Sequence, residues 1–196
     1  MAKRILAWAT AILSGALLGA ASAWAALEWG RNSFSERYGA WSHSRAAGSQ
    51  AAGPYTRAII AREGLLALSA REALYFSLDR DEHGRPLDEA CVYDLAGAAM
   101  ATRWWSVTLY ADDNFLALNA DGAPSVDASR VRSDVNGGWR ARIAPVRGEA
   151  ANWISSRNAG RYFVIMLRVY NPHDAFQPSA SSLPTLTTIS CAGDAL

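Results

Sequence analysis

The sequence predicts a mainly β protein: an antiparallel, jelly-roll-like β-sandwich with one short helix at its start, preceded by an N-terminal transmembrane helix. Three observations predict it. The first is the run Arg103-Trp104-Trp105-Ser106-Val107-Thr108-Leu109-Tyr110. Alternate side chains of a strand point to opposite faces, so Trp105, Val107 and Leu109 share one face and Trp104, Ser106, Thr108 and Tyr110 the other. The second is that two more runs divide the same way. Arg161–Tyr170 sets Phe163, Ile165, Leu167 and Val169 against Tyr162, Val164, Met166, Arg168 and Tyr170; Leu74–Asp79 sets Leu74, Phe76 and Leu78 against Tyr75, Ser77 and Asp79. Strands with one apolar face and one Tyr/Trp/Ser/Arg face fit a sheet with one dry side and one selective side. The third is an uncharged N-terminal stretch as long as a bilayer is thick.

That stretch runs from Ile5 to Leu27, behind Lys3 and Arg4. As a helix its 23 residues extend roughly 34 Å, against a hydrocarbon core of about 30 Å. Basic residues on the short side keep that end cytoplasmic, so the rest of the chain faces the periplasm or exterior. Ala21-Ser22-Ala23 and Ala23-Trp24-Ala25 are also sites that signal peptidase accepts. Residues 1–28 are therefore a retained anchor or a cleaved signal, and the length of the run together with Trp24 and Trp29 favours the anchor. The expected location is the bacterial inner membrane, crossed once by residues 5–27, with the C-terminal domain in the periplasm.

Residues 29–53 read as a linker, with a short strand or turn within 33–41 and a Gly/Ala/Ser loop over 46–53. Pro54 opens a helix over Tyr55–Glu63, where its missing N–H costs nothing, and Gly64 stops it. Ser69-Ala70-Arg71-Glu72 is a capping-box pattern for one further turn. After the strand Leu74–Asp79, the charged, Gly/Pro-punctuated residues 79–88 form a solvated hairpin loop. Cys91–Leu95 returns as a strand and leads into the double-Trp strand. Phe115–Leu118 reads as a short return strand, 119–134 as polar with weak strand character, and Trp139–Ile143 as a strand of strict period two. Residues 151–160 read as a loop, 161–170 as a long strand, and the Pro/Ser/Thr-rich tail as extended. One helix followed by seven or eight short strands over 54–196 makes the sandwich domain.

Half of the 196 residues are apolar and 19% are charged, which excludes a disordered polyelectrolyte. Without Lys3 and Arg4 the charge is 17 basic against 18 acidic residues, or −1. No basic patch emerges, so nucleic acid is not an expected partner.

Several segments together resemble the bacterial family catalogued as domain of unknown function 1214. They are Pro54–Ala58, Glu72–Phe76, Asp81–Gly84 with Arg85–Asp88, Arg103–Tyr110, Asn152-Trp153, and Leu167–Tyr170 with Pro172. The resemblance covers roughly 53–172, and the Arg-Trp-Trp-Ser-x-Thr-Leu-Tyr run is its specific part. It implies a jelly-roll-like sandwich. In longer members this domain follows a β-rich domain numbered 1254, and some bacteria encode the two separately. The resemblance brings no established reaction.

Candidate sites are few. His43, His83 and His173 lie in separate loops without metal-ligand spacing, and no cofactor or metal is expected. Asp79, Asp81 and Asp88 lack the alternating calcium-loop pattern. Ser106 has neither a nucleophile elbow nor a nearby His. Asp79 and Asp94 are the carboxylates available for a glycosidase pair. Arg168 stands out because a guanidinium in an apolar strand needs an acceptor. Either it pairs internally with Asp79 or Asp94, or it lies near the strand end where its charge reaches water, or it recognises an anionic or carbonyl group held between Trp104, Tyr110 and Tyr170. The candidate ligand face is thus Trp104, Ser106, Thr108, Tyr110, Arg168, Tyr170 and Tyr75. Cys91 and Cys191, both beyond the membrane segment, are either a disulfide tying the tail to Cys91–Leu95 or two unpaired thiols; an even count favours the bridge. Three functions follow in order: binding a partner protein such as a separately encoded 1254-type domain, binding a small molecule or glycan, or an enzyme of unrecognised type.

Overall fold

Period-two alternation becomes burial on one side of each long strand. The computed structural model describes residues 1–33, 35–44, 53–54, 57–58, 61, 68–69, 71–174 and 176–192. A helix, α1 (Ala2–Ser33), precedes ten strands among the described residues. These are β1 (Ser35–Tyr38), β2 (Trp41–Ser44), β3 (Ala73–Leu78), β4 (Cys91–Gly97) and β5 (Thr102–Tyr110). They continue with β6 (Ser125–Asp127), β7 (Trp139–Ala144), β8 (Trp153–Ser155), β9 (Val164–Pro172) and β10 (Thr185–Cys191). Six strands form one sheet in the order β1-β2-β3-β9-β5-β6, and four form a second in the order β10-β4-β7-β8.

The apolar faces meet between the sheets. Phe76 and Leu78 of β3, Trp105, Val107 and Leu109 of β5, and Ile165, Leu167 and Val169 of β9 are buried against Tyr93, Leu95, Ala141, Ile143 and Leu186 of the second sheet. Two aromatic contacts bridge the layers. Trp105 stacks on Trp139 with centroids 4.6 Å apart, and Tyr93 meets Phe163 edge-on at 6.1 Å. Gly97 pairs with Trp139 across β4 and β7, and a Cβ there would lie 2.4 Å from the indole. A side chain at Gly97 would displace the ring that stacks on Trp105.

The expectation of an antiparallel sandwich needs one correction. The first sheet is antiparallel throughout, but β7 and β8 run parallel. A parallel pair cannot close with a hairpin turn. Here Asn152 does the joining. Its Oδ1 accepts the Arg132 N–H at 2.7 Å, and its Nδ2 donates to Arg132 O and Arg140 O at 2.9 and 2.8 Å. The segment 151–160, read as a loop, therefore contains β8.

Other expectations shift for local reasons. The span 29–53, read as a linker, holds the end of α1 and the β1–β2 hairpin, which pairs with β3. Trp41 fixes it there: it is 2% exposed and donates Nε1–H to Pro184 O at 2.6 Å. Phe115–Leu118 is a loop, and the return strand is instead Ser125–Asp127. The long strand begins at Val164, because Tyr162 has φ 70° and breaks the extended run. The tail is more than extended: β10 pairs with β4 and puts Cys191 opposite Cys91. The two form a disulfide with Cα atoms 3.9 Å apart. In the 79–88 loop most side chains are exposed, but Asp81 and Leu87 are buried.

Lys3–Ala26 of α1 is long and apolar enough to cross a membrane. The Tyr55–Glu63 helix lies largely outside the described residues; within them, Arg57 N–H bonds Gly53 O at 3.0 Å, the spacing of a helical turn. Half of the capping box forms at Ser69: Glu72 Oε2 accepts its N–H, but Ser69 Oγ donates to the same carboxylate and the Glu72 N–H bonds Ser69 O in a turn.

Candidate functional site

Register decides which polar side chains become neighbours. Tyr75 of β3, Arg168 of β9 and Ser106 of β5 are directly opposite one another, and Asp127 of β6 extends the row. The next row holds Ser77, Met166, Thr108 and Ser125; the preceding one holds Ala73, Tyr170 and Trp104. All seven expected site residues thus lie on the outer face of the six-stranded sheet. The alternation of three strands placed them on one face, and pairing of those strands placed them side by side.

They form two groups. Arg168 and Tyr110 reach toward each other across the Thr108–Met166 row. A guanidinium nitrogen of Arg168 donates to Tyr110 Oη at 2.8 Å, and the guanidinium carbon lies 5.3 Å from the Tyr110 ring centroid. Trp104 and Tyr170 make the other group, with centroids 5.4 Å apart. Trp104 Nε1–H is committed to Ser129 Oγ at 2.9 Å. The guanidinium therefore points away from the Trp104–Tyr170 pair, and the expected enclosure of one ligand by Trp104, Tyr110 and Tyr170 divides into two ends.

The internal partners expected for Arg168 are elsewhere. Asp94 belongs to the second sheet and pairs with Arg140 at 2.9 Å. Asp79 is exposed beyond the end of β3. The two do not face each other across this sheet, so the glycosidase pairing falls as well. Among the described residues no carboxylate lies within ion-pair distance of Arg168, and Tyr110 Oη is its hydrogen-bond partner. One of five guanidinium N–H donors is thereby used inside the protein.

Ser106, opposite Arg168, and Thr108, in the next row, are each 8% exposed, and neither hydroxyl has a hydrogen bond among the described residues. Tyr75 is buried beside them. Burial pushes its phenol pKa up, against the pull of a hydrogen bond with the Leu68 main chain. His43, in β2 rather than a loop, packs its ring on Phe76 and gives Nδ1 to Tyr75 O at 2.8 Å. It is not a base for Ser106.

Asp127 escaped the sequence reading. It is buried in the row of Ser106, but Arg130 takes one oxygen at 2.7 Å and the Ser129 N–H takes the other at 2.9 Å. The Asp-x-Ser-Arg spacing of a local turn was the available signal; nothing local announced its position beside Ser106. Among the described residues no three His, Cys, Asp or Glu side chains gather as metal ligands. The face offers donors, hydroxyls and ring edges, which suits binding an acceptor group.

The family model described as "Protein of unknown function (DUF1214)" matches residues 72–174, just over half of the chain. The chain belongs to this family. The match spans β3 to the end of β9 and so includes every residue of the candidate face. Among solved structures, the VPA0106 protein of Vibrio parahaemolyticus is 25% identical with a TM-score of 0.57, over 71% of this chain and 36% of that one. This DUF1214 chain therefore corresponds to about a third of that protein. An uncharacterized protein of Burkholderia cenocepacia is 17% identical with a TM-score of 0.45, over 60% of this chain and 29% of its own. No curated protein matches.

Proposed function

We propose that the protein is a membrane-tethered, periplasm-facing domain that binds a small ligand through the Arg168 end of its outer sheet face, an anionic or carbonyl group of the ligand meeting the guanidinium. The observation that carries this is the position of Arg168: a half-buried cation whose internal partner among the described residues is a neutral phenol. An acceptor from outside would use the remaining donors, and charge-assisted hydrogen bonds of this kind are the strong ones. Ser106 and Thr108 supply hydroxyls to the same group. The jelly-roll-like wiring belongs to the proposal too, supported by the chain crossing between sheets at β3, β4 and β5.

Arg168→Gln tests it. A hydrogen bond from a charged donor contributes about 1.5–3 kcal/mol, and Gln can still donate to Tyr110, so the variant should lose less than about 3 kcal/mol relative to the wild type. Full-length protein in detergent should respond to a panel of aromatic carboxylates, benzoate first, by a change in Trp fluorescence and a higher Tm, and Arg168→Gln should not. Loss of about 3 kcal/mol or more in the variant would make Arg168 structural, and an equal ligand response in both proteins would remove it from the site.

A second reading is that the domain binds a partner protein, such as a separately encoded 1254-type domain. Its support is the length comparison, in which this chain matches 36% of the Vibrio protein. Co-purification from native membranes that returns no partner would count against it.

A further inference from the structure

The loop between β5 and β6 inverts the usual arrangement of side chains. Its apolar residues face water: Phe115 is 71% exposed, Leu116 45% and Leu118 88%. Several of its polar side chains, though not Asp112 or Asn114, are turned onto its own backbone or into the fold. Asp113 Oδ1 accepts the Phe115 N–H at 2.9 Å, and Asn119 Oδ1 accepts the Asp121 N–H at 3.1 Å. Asn119 Nδ2 donates to Arg157 O and Asn158 Nδ2 to Leu118 O, each at 2.8 Å. Asp121 bonds Ser155 Oγ at 2.6 Å and pairs with Arg157 at 3.1 Å. Ala111 N–H closes the first turn onto Phe115 O at 2.8 Å. The three apolar side chains are thus displayed by a pinned loop. Large exposed apolar side chains grouped in one pinned loop can serve as a docking site.

Register and charge indicate the occupant. β1 leaves α1 level with the Arg168 row and runs toward the Tyr110 end, where this loop begins. From that row to Tyr110 is four residues, roughly 13 Å along the strand. The loop therefore lies at the end of the sheet away from the point where the chain leaves the membrane helix. Asp112 and Asp113, both exposed, precede the apolar residues, and neither is in an ion pair among the described residues. An anionic bilayer would repel this rim; a basic protein surface would match it.

We infer that Phe115, Leu116 and Leu118, with Asp112 and Asp113, form the docking surface for a partner protein that presents an apolar groove bordered by Lys or Arg. This rests on the partner-binding reading and gives it a place in the fold.

The test uses the full chain in its native membrane, with p-benzoylphenylalanine as photo-crosslinker at position 115, at 118, and at 135 as a control, since Val135, on another loop, is more exposed than either. Positions 115 and 118 should yield adducts with one and the same polypeptide, the joined peptide carrying apolar residues beside Lys or Arg. Asp112→Lys with Asp113→Asn, which keeps an acceptor for the Phe115 N–H, should lower that yield about tenfold or more without changing the melting temperature. Adducts with lipid, adducts with another copy of this chain, the same adduct from 135, or indifference to the charge reversal would each overturn the inference. If a partner co-purifies but is not reached from 115 or 118, the surface is wrong and partner binding stands; if none co-purifies, partner binding itself fails.

Discussion

Trp104 and Trp105 are neighbours with opposite surroundings. Trp105 stacks on Trp139 between the sheets; Trp104 lies half-exposed on the outer face beside Tyr170. Removing a buried Trp side chain costs about 3–5 kcal/mol, through lost transfer energy and the cavity it leaves. Trp105→Ala should therefore lose that much in urea melts, and Trp104→Ala clearly less. Equal losses would mean that both faces are packed, which would undercut the ligand reading of the outer one.

The β3–β4 loop and β10 fasten each other at the edge of the second sheet. Glu82 accepts the Thr188 N–H at 2.7 Å and its hydroxyl at 3.0 Å, beside the register shift in β10. Asp81, 5% exposed, shapes the loop by accepting the N–H groups of His83 and Arg85 and the Arg85 guanidinium, all within 2.9 Å. Burial raises its pKa, but the hydrogen bonds from Arg85 and His83 outweigh burial and hold it below the ordinary 3.8. A carboxyl whose folded pKa is lowered stabilises the fold above its unfolded pKa, and that stabilisation is lost as pH falls through the folded value. Asp81→Asn should accordingly flatten the loss of stability below about pH 4; an unchanged acid limb would deny Asp81 this role. The same edge is closed covalently. The Cys91–Cys191 bridge spans a separation of 100 residues, for which loop-closure entropy sets an upper figure of about 4.7 kcal/mol. Non-reducing mass spectrometry of the protein should find no free thiol, and Cys191→Ser should lower stability by about 2–4 kcal/mol. Two alkylatable thiols would remove the bridge.

At the scale of the whole molecule, α1 passes into the sandwich with one residue between Ser33 and Ser35. If Lys3–Ala26 is a retained span, the sandwich stands close to the bilayer surface. Externally added protease should then cut the sandwich in spheroplasts while the N-terminus stays protected, and the chain should begin at Met1 or Ala2. A mature chain beginning at Trp24 or Ala26 would make the segment a cleaved signal.

The division between sequence and tertiary structure follows the range of the interactions. The membrane-length helix, the class of the fold, the apolar and polar sides of β3, β5 and β9, and the family followed from local alternation, composition and motif order. These depend on side chains within one element, where period and hydropathy act directly. Cys91 and Cys191 were also legible as a pair, because two cysteines beyond the apolar N-terminal segment leave one intramolecular pairing. Strand partners were not legible. Asp127 came beside Ser106 only through the pairing of β5 with β6, and β8 was hidden in a loop because its parallel entry depends on Asn152 reaching Arg132 and Arg140. Phe115–Leu118 has the composition of a strand, yet the Phe115 N–H bonds Asp113, and bonds joining Asn119 and Leu118 to the distant Arg157 and Asn158 hold it as a loop. The partner of Arg168 was decided last of all: Asp94 went to the other sheet and Asp79 beyond the strand end, so the cation met Tyr110 instead. Contacts between residues distant in the chain are set by register and layer, which no single stretch of sequence encodes.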